Sequence, residues 1–291
     1  MAPAPAHKPR APSVRHGRGR TRRPRRGTPL PTGQAGGVVA RAAPPDERAG
    51  PRGAFDEGWE ARAAARRRIF DGIADDYDAL NDLLSLGLHR AWKRAAVAWT
   101  RADRGQACLD VCTGTGDIAQ LLASAAGPTG RVVGLDFAPD ILAVAKRRPQ
   151  RSGSAARVEW IEGDAMNLPF GNATFDAATC GYGLRNVADR PRAIAELARV
   201  LRPGARLAVL DFNNAADKSA ANAAQTWTLA NVVVPVARAR GFEEEYAYLQ
   251  PSIKSYPTGR ELENMARNAG FADAKYYELY YGLMGCLVAT R

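Results

Sequence analysis

Two glycines set between two carboxylates carry the first chemical signal in the chain. The segment Leu109-Asp110-Val111-Cys112-Thr113-Gly114-Thr115-Gly116-Asp117-Ile118-Ala119 runs from an apolar stretch into a helical pattern. Gly114 and Gly116 let the backbone turn tightly and approach a ligand closely. Taken alone, Gly114-x-Gly116-x-x-Ala119 fits a dinucleotide fingerprint, another nucleoside site or an ordinary strand-to-helix turn. Asp136 closes the next apolar run, 20 residues after Gly116. A carboxylate there accepts hydrogen bonds from both hydroxyls of a ribose. Asp110 separates the readings, because a carboxylate four residues before Gly114 repels a pyrophosphate and suits a cationic amino-acid group. Further along, Glu162-Gly163-Asp164-Ala165-Met166-Asn167-Leu168-Pro169-Phe170 follows a third apolar run. Asp164 can accept a hydrogen bond from an adenine amino group while the backbone of Ala165 serves the ring nitrogens.

The elements that must position these groups follow from the periodicity. Short apolar runs at 107–112, 131–136, 157–161, 175–180 and 206–212 alternate with helical patterns at 117–126, 139–147 and 190–201. That alternation predicts a parallel sheet covered by helices on both faces. The last of these helices should stop at Arg202, before Pro203-Gly204. Helical patterns also cover 61–71, 77–101 and 219–240, and the chain ends as a helix over 259–269 and two strands over 275–281 and 284–289.

Composition narrows the classes further. Lys and Arg number 41 against 30 Asp and Glu, a net charge of +11. Ten of the basic residues and none of the acids lie in residues 1–45. The remainder, near neutral, has no large field to attract nucleic acid. Residues 1–45 also hold nine of the 19 prolines and almost no large apolar residue. They predict a disordered basic leader of the organellar transit type, with a processing site near Val38-Val39-Ala40-Arg41-Ala42-Ala43 and a linker over 46–65. A basic tail for nucleic acid is the competing reading of this segment. No run approaches the ~20 apolar residues of a membrane span. Cys108, Cys112, Cys180 and Cys286 read as buried thiols, and with His89 the only imidazole after residue 45, no metal site is expected.

The ordered set of motifs from about residue 105 to 212 resembles the class I S-adenosylmethionine-dependent methyltransferases. The resemblance implies a Rossmann-like, doubly wound, seven-stranded α/β sheet with its last strand antiparallel. It also implies N-terminal helices over 66–104, a helical lid over 213–260, and a final helix and strand pair over 261–291. A narrower pattern, Tyr77-Asp78-Ala79-Leu80-Asn81, then Ser85, then His89-Arg90-Ala91-Trp92, is similar to the signature of the ubiquinone and menaquinone C-methyltransferase family. It departs only by Leu80 for Met, a volume-conserving change. Gly183-Leu184-Arg185-Asn186-Val187 is a second mark. Glu245–Ile253, Tyr256-Pro257-Thr258-Gly259 and Gly282-Leu283-Met284-Gly285 resemble the plastid and cyanobacterial branch, which methylates demethylphylloquinol to phylloquinol.

This resemblance implies S-adenosylmethionine as cofactor, held by Asp110, Thr113, Gly114, Thr115, Gly116, Asp136, Asp164, Ala165 and Gly181. It implies a prenylated naphthoquinol as substrate, no nucleic acid, a plastid location, room for peripheral contact with thylakoid or envelope membrane, and a homodimer as one assembly. Ionising a ring hydroxyl of the quinol makes the adjacent carbon nucleophilic, so an oxyanion contact is needed. Arg185 is the candidate, its other reading being a salt bridge with Asp189. His89 serves as base or as a structural hydrogen-bonding residue. Tyr182 lines the acceptor site or packs in the core, and Asp78 and Asn81 either face the pocket or cap and pack. The apolar stretch Trp227–Val236 covers a prenyl tail, touches a membrane or packs internally. A mitochondrial-type ubiquinone or menaquinone C-methyltransferase, a methyltransferase for another prenyl lipid and a nucleotide-binding dehydrogenase are the alternatives.

Overall fold

The computed structural model describes residues 87–149, 155–214 and 249–291, with positions 227, 231, 235 and 238 singly. The leader, the linker, the helical pattern at 61–71, the first part of the Tyr77–Trp92 signature with Asp78 and Asn81, and nearly all of the stretch 213–248 lie outside the described residues.

The described elements run α1 (Leu88–Thr100), β1 (Ala107–Val111), α2 (Asp117–Ala126), β2 (Arg131–Asp136), α3 (Pro139–Arg147), β3 (Val158–Glu162), β4 (Phe175–Gly181), a 3-10 turn (Leu184–Asn186), α4 (Arg190–Val200), β5 (Leu201–Phe212), α5 (Leu249–Lys254), α6 (Gly259–Asn268), β6 (Asp273–Leu279) and β7 (Met284–Thr290). The strands form one seven-stranded sheet in the order β3-β2-β1-β4-β5-β7-β6. β1 to β5 are mutually parallel, and β7 runs antiparallel between β5 and β6. This is the doubly wound arrangement with one reversed strand that the motifs imply.

Both faces are covered, which is why the inner strands read as continuous apolar runs. Leu109, Val133, Ala178 and Leu207 point to the side holding α4 and α6. Cys108, Val132 and Ala177 point to the side holding α2, where Leu122 and Ala126 are fully buried. Burying each such Leu contributes about 1.5–3 kcal/mol before entropy is counted. α1 lies on this second side, with Ala96 against Ala208, Leu210 and Met284.

Helix ends follow their local chemistry. Asp189 caps α4 by accepting from the Arg192 amide at 3.0 Å. Thr258 and Glu261 close a reciprocal capping box on α6.

Two boundaries differ from the sequence expectation. Arg202-Pro203-Gly204 does not form a separate loop, because β5 begins at Leu201 and pairs with Phe175 before the register shifts to Ala177 opposite Arg206. The strand expected to reach residue 281 ends at Leu279, because Tyr280, Tyr281 and Gly282 all take positive φ. Three left-handed residues in succession cannot continue a pleated strand.

All five parallel strands deliver their C-terminal ends to one edge. The loop joining β6 to β7 lies at the same edge, since Phe212 at the end of β5 pairs with Met284 at the start of β7. In open α/β sheets this edge is where ligands bind.

Candidate cofactor and acceptor site

The loop after β1 is built by its own backbone. Cys112 (φ 55), Gly114 (φ 55) and Gly116 (φ 89) all sit in the left-handed region. The Gly116 amide donates to the Thr113 carbonyl at 2.9 Å, closing the turn into α2. Gly116 has a second constraint, since a Cβ there would stand 2.4 Å from the Trp160 ring. The same ring lies under Gly134, so one tryptophan of β3 forms the floor beneath the loop.

Asp110 lies beneath that loop, 1% exposed. Its carboxylate accepts from the Thr113 hydroxyl at 2.6 Å and the Thr179 hydroxyl at 2.7 Å. Burial pushes its carboxyl up to about 6, against the lowering effect of both hydroxyls. Thr113 is thereby turned inward, and Thr115 is buried beside it. Asp110 therefore reaches the ligand edge through its field and the loop it holds.

Asp136 stands at the end of β2. It accepts from the Gly114 amide at 2.8 Å and from the Ala138 amide at 3.1 Å. These use two of a carboxylate's roughly four acceptor sites and tie the glycine loop to the neighbouring strand. Asp164 is exposed just past β3, accepting from the Met166 amide at 2.8 Å, with Ala165 and Met166 buried below it. Gly181 ends β4, where a Cβ would meet the Ile118 side chain at 2.2 Å. The structure thus brings Asp110, Thr113, Gly114, Thr115, Gly116, Asp136, Asp164, Ala165 and Gly181 to one sheet edge.

Sequence reasoning missed an ion triad beside them. Asp117, the first residue of α2, accepts from Lys93 at 2.7 Å and Arg148 at 2.8 Å. Lys93 is buried on α1, so the triad joins α1, the glycine loop and the end of α3. Only the fold reveals it, since its members are 24 and 31 residues apart.

The other half of the edge is aromatic and cationic. Arg185, in the turn after β4, does not pair with Asp189, which is occupied capping α4. Its Nη1 instead donates to Asp211 Oδ1 at 2.7 Å and to the Tyr182 carbonyl. Both partners of the ion pair are buried, and the guanidinium lies 5.4 Å from the centre of the Phe212 ring. Tyr182 (φ 59) packs edge-on against Phe212 at 6.0 Å. Tyr276 donates to Asn213 at 2.9 Å, and Asn213 donates to the Gly282 carbonyl at 3.0 Å. Burial, reinforced by the Asp211 charge, raises the phenols of Tyr256 and Tyr276. Asp211 is the penultimate residue of β5, close to the place that Asp136 holds at the end of β2, and that likeness was the available signal for it.

His89 is 4% exposed in the first turn of α1, on the inner face with Lys93, Ala96 and Thr100. That place suits holding the helix to the sheet. Cys112 and Cys180 neighbour each other under the loop, and all four cysteines are free thiols. Among the described residues no cluster of His, Cys, Asp and Glu could hold a metal, and no helix is long and apolar enough to cross a membrane.

The model of the ubiE/COQ5 methyltransferase family matches residues 60–291. The chain belongs to that family. A protein of Arabidopsis thaliana named 2-phytyl-1,4-beta-naphthoquinone methyltransferase, chloroplastic, is 52% identical over 228 residues, covering 78% of this chain and 87% of its own. A 2-phytyl-1,4-naphtoquinone methyltransferase of Trichormus variabilis is 46% identical over 225 residues, covering 77% and 98%. Among solved structures, a SAM-dependent methyltransferase of Thermotoga maritima superposes with a TM-score of 0.53 at 18% identity, covering 77% and 98%, and supports the fold alone.

The protein is thus a methyltransferase, and its family implies S-adenosylmethionine as the methyl donor. The donor set of this site fits that molecule. Asp110, Asp136 and Asp164 place three carboxylates in the nucleoside half, while the neighbouring cations Lys93 and Arg148 share Asp117 and leave a single positive charge over. A ligand bearing a sulfonium and an ammonium is favoured by such a field, and a pyrophosphate is opposed by it.

Proposed function

We propose that this methyltransferase acts on a ring carbon of a prenylated naphthoquinol, converting demethylphylloquinol to phylloquinol in vitamin K1 biosynthesis. The observation that carries the reading is the identity of about half of all aligned residues to a plant relative named for a 2-phytyl-naphthoquinone. The acceptor half of the site agrees with it chemically, because a flat ring suits Tyr182 and Phe212, and a ring oxyanion suits a buried arginine.

When bound, S-adenosylmethionine supplies an electrophilic methyl group. Asp136 is assigned the ribose hydroxyls, Asp164 and the backbone of Ala165 the adenine edge, and Asp110 the field that favours the cationic end. Arg185 holds the oxyanion of the ionised quinol, and Asp211 positions Arg185. Tyr182 and Phe212 align the ring and exclude water. The reduced quinol is the substrate form, since a quinone carbon is electron-poor.

Labelled cofactor offered with a panel of reduced naphthoquinones and benzoquinones tests this. Mass spectrometry should find label on the ring carbon of the phytyl naphthoquinol. Preferred labelling of a benzoquinol, or of oxygen, would overturn the assignment.

We also place the protein in the plastid, supported by the acid-free leader and by the relative named chloroplastic. A reporter fused to residues 1–50 should be imported and shortened, and nuclear or cytosolic retention counts against it.

A further inference from the structure

Arg185 is held at its guanidinium, its amide and its carbonyl. Its Nη1 is bound to Asp211, its amide donates to the other oxygen of Asp211 at 3.2 Å, and its carbonyl accepts from Arg190 Nη2 at 2.8 Å. The turn Leu184–Asn186 has only three residues, so it leaves such backbone groups for side chains to satisfy. Asp211 comes from β5, and Arg190 is the first residue of α4. Helical side chains lean toward the N-terminus of their helix, so an arginine in this place reaches back over the turn that precedes it.

Arg190 also holds the turn after α5. Its Nη1 donates to the Ser255 carbonyl at 3.2 Å, and its guanidinium lies 5.9 Å from the centre of the buried Tyr256 ring. Asn214, two residues past β5, donates to the carbonyls of Lys254 and Tyr256. The Ser255–Tyr256 segment is thus pinned from two directions against the Arg185 turn. The next arginines of α4 hold something else. Arg192 donates to the Met166 carbonyl, and Arg199 to those of Leu168 and Phe170, all in the loop after Asp164. Of these three, only Arg190 reaches the acceptor half. Its Nε is buried with no partner among the described residues. An unmade buried donor is costly, so packing alone does not account for an arginine here.

We propose that Arg190 is a positioning residue for methyl transfer. It fixes the backbone of Arg185 and the spacing between the Arg185 turn and the Ser255–Tyr256 segment, and so sets where the Arg185 guanidinium meets the acceptor. The inference rests on the assignment of Arg185 to the acceptor oxyanion. Arg190 itself touches no reacting atom, and its effect is one of placement. A reacting geometry that shifts by about 1 Å can lose about 100-fold in rate.

The test compares the full-length wild type with Arg190→Ala, Arg190→Lys, Arg185→Ala and the double variant Arg185→Ala/Arg190→Ala. Turnover is read with the best-labelled quinol of the panel above, and S-adenosylmethionine affinity by calorimetry. Arg190→Ala should lower kcat roughly tenfold while the Kd for the cofactor stays within about twofold, which also shows that the variant is folded. Arg190→Lys keeps a donor for the Arg185 carbonyl and should bring kcat to within about threefold of wild type. In the Arg185→Ala background, Arg190→Ala should cost less than about twofold, because no guanidinium is left to place. A Kd that rises as far as kcat falls would make Arg190 a support of the fold and overturn the proposal. So would an equal kcat loss in the two backgrounds, or an Arg190→Ala enzyme as fast as wild type beside a slow Arg185→Ala. An Arg185→Ala enzyme as fast as wild type would instead remove the oxyanion assignment, and this inference with it.

Discussion

The two halves of the ligand edge are made of different material. In the nucleoside half, after β1, β2 and β3, much of the geometry is backbone amides held by carboxylates: Gly114 and Ala138 to Asp136, and Met166 to Asp164. In the acceptor half, after β4, β5 and around β7, it is side chain against side chain: Arg185 on Asp211, Tyr182 on Phe212, Tyr276 on Asn213. A backbone-built cradle follows from the turn itself and offers one shape. A cradle of side chains depends on partners far apart in sequence, and one substitution reshapes it. The first half should therefore govern cofactor affinity, and the second should govern turnover and acceptor choice.

The largest effect that could break this division is at Arg185. Arg185→Ala should lower kcat roughly 100- to 1,000-fold, the usual loss on removing an oxyanion contact. Cofactor affinity, read by calorimetry, should stay within about twofold. Asp211→Asn should give a smaller kcat loss and a folding loss of about 3 kcal/mol, because it leaves a buried guanidinium with its charge unmatched. If cofactor affinity falls as far as kcat in either variant, the two halves do not act separately.

The same contrast explains what the sequence disclosed. β1, β2 and β4 and their helices were legible almost to the residue because strands buried on both faces read as apolar runs, and the carboxylates Asp136 and Asp164 stand at the end of β2 and just past β3. Arg185 was legible as a cation at the edge, but its partner was not. Asp189 is nearer in the chain, yet the start of α4 claims it as a cap, while Asp211 arrives from 26 residues away because β5 lies beside β4. The Lys93–Asp117–Arg148 triad was hidden for the same reason. Tyr280 and Tyr281 misled in the opposite sense, because tyrosine's preference for strands outweighed any local sign of a left-handed turn except Gly282.

The smallest effect sharpens the nucleoside half, where Asp110 should make pH act on affinity and stability in opposite directions. Its carboxyl titrates near 6 in the fold and in the ordinary carboxylate range when the chain is unfolded. The folded state therefore holds this proton more tightly than the unfolded chain does. Its contribution to stability is fully present below the ordinary carboxylate pKa and is lost as pH rises through about 6. A cationic cofactor prefers the ionised form, so affinity should hold above that value and weaken as pH falls through it. Between about pH 7.5 and about pH 5 the Kd for S-adenosylmethionine should rise roughly fivefold. Asp110→Asn removes the charge while keeping an acceptor for one of the two threonine hydroxyls. It should bind the cofactor with the affinity of the acidic wild type at every pH, and its stability should vary less across the same window. A wild-type Kd that stays flat through pH 6 would mean that Asp110 only fastens the loop and contributes no field to the ligand.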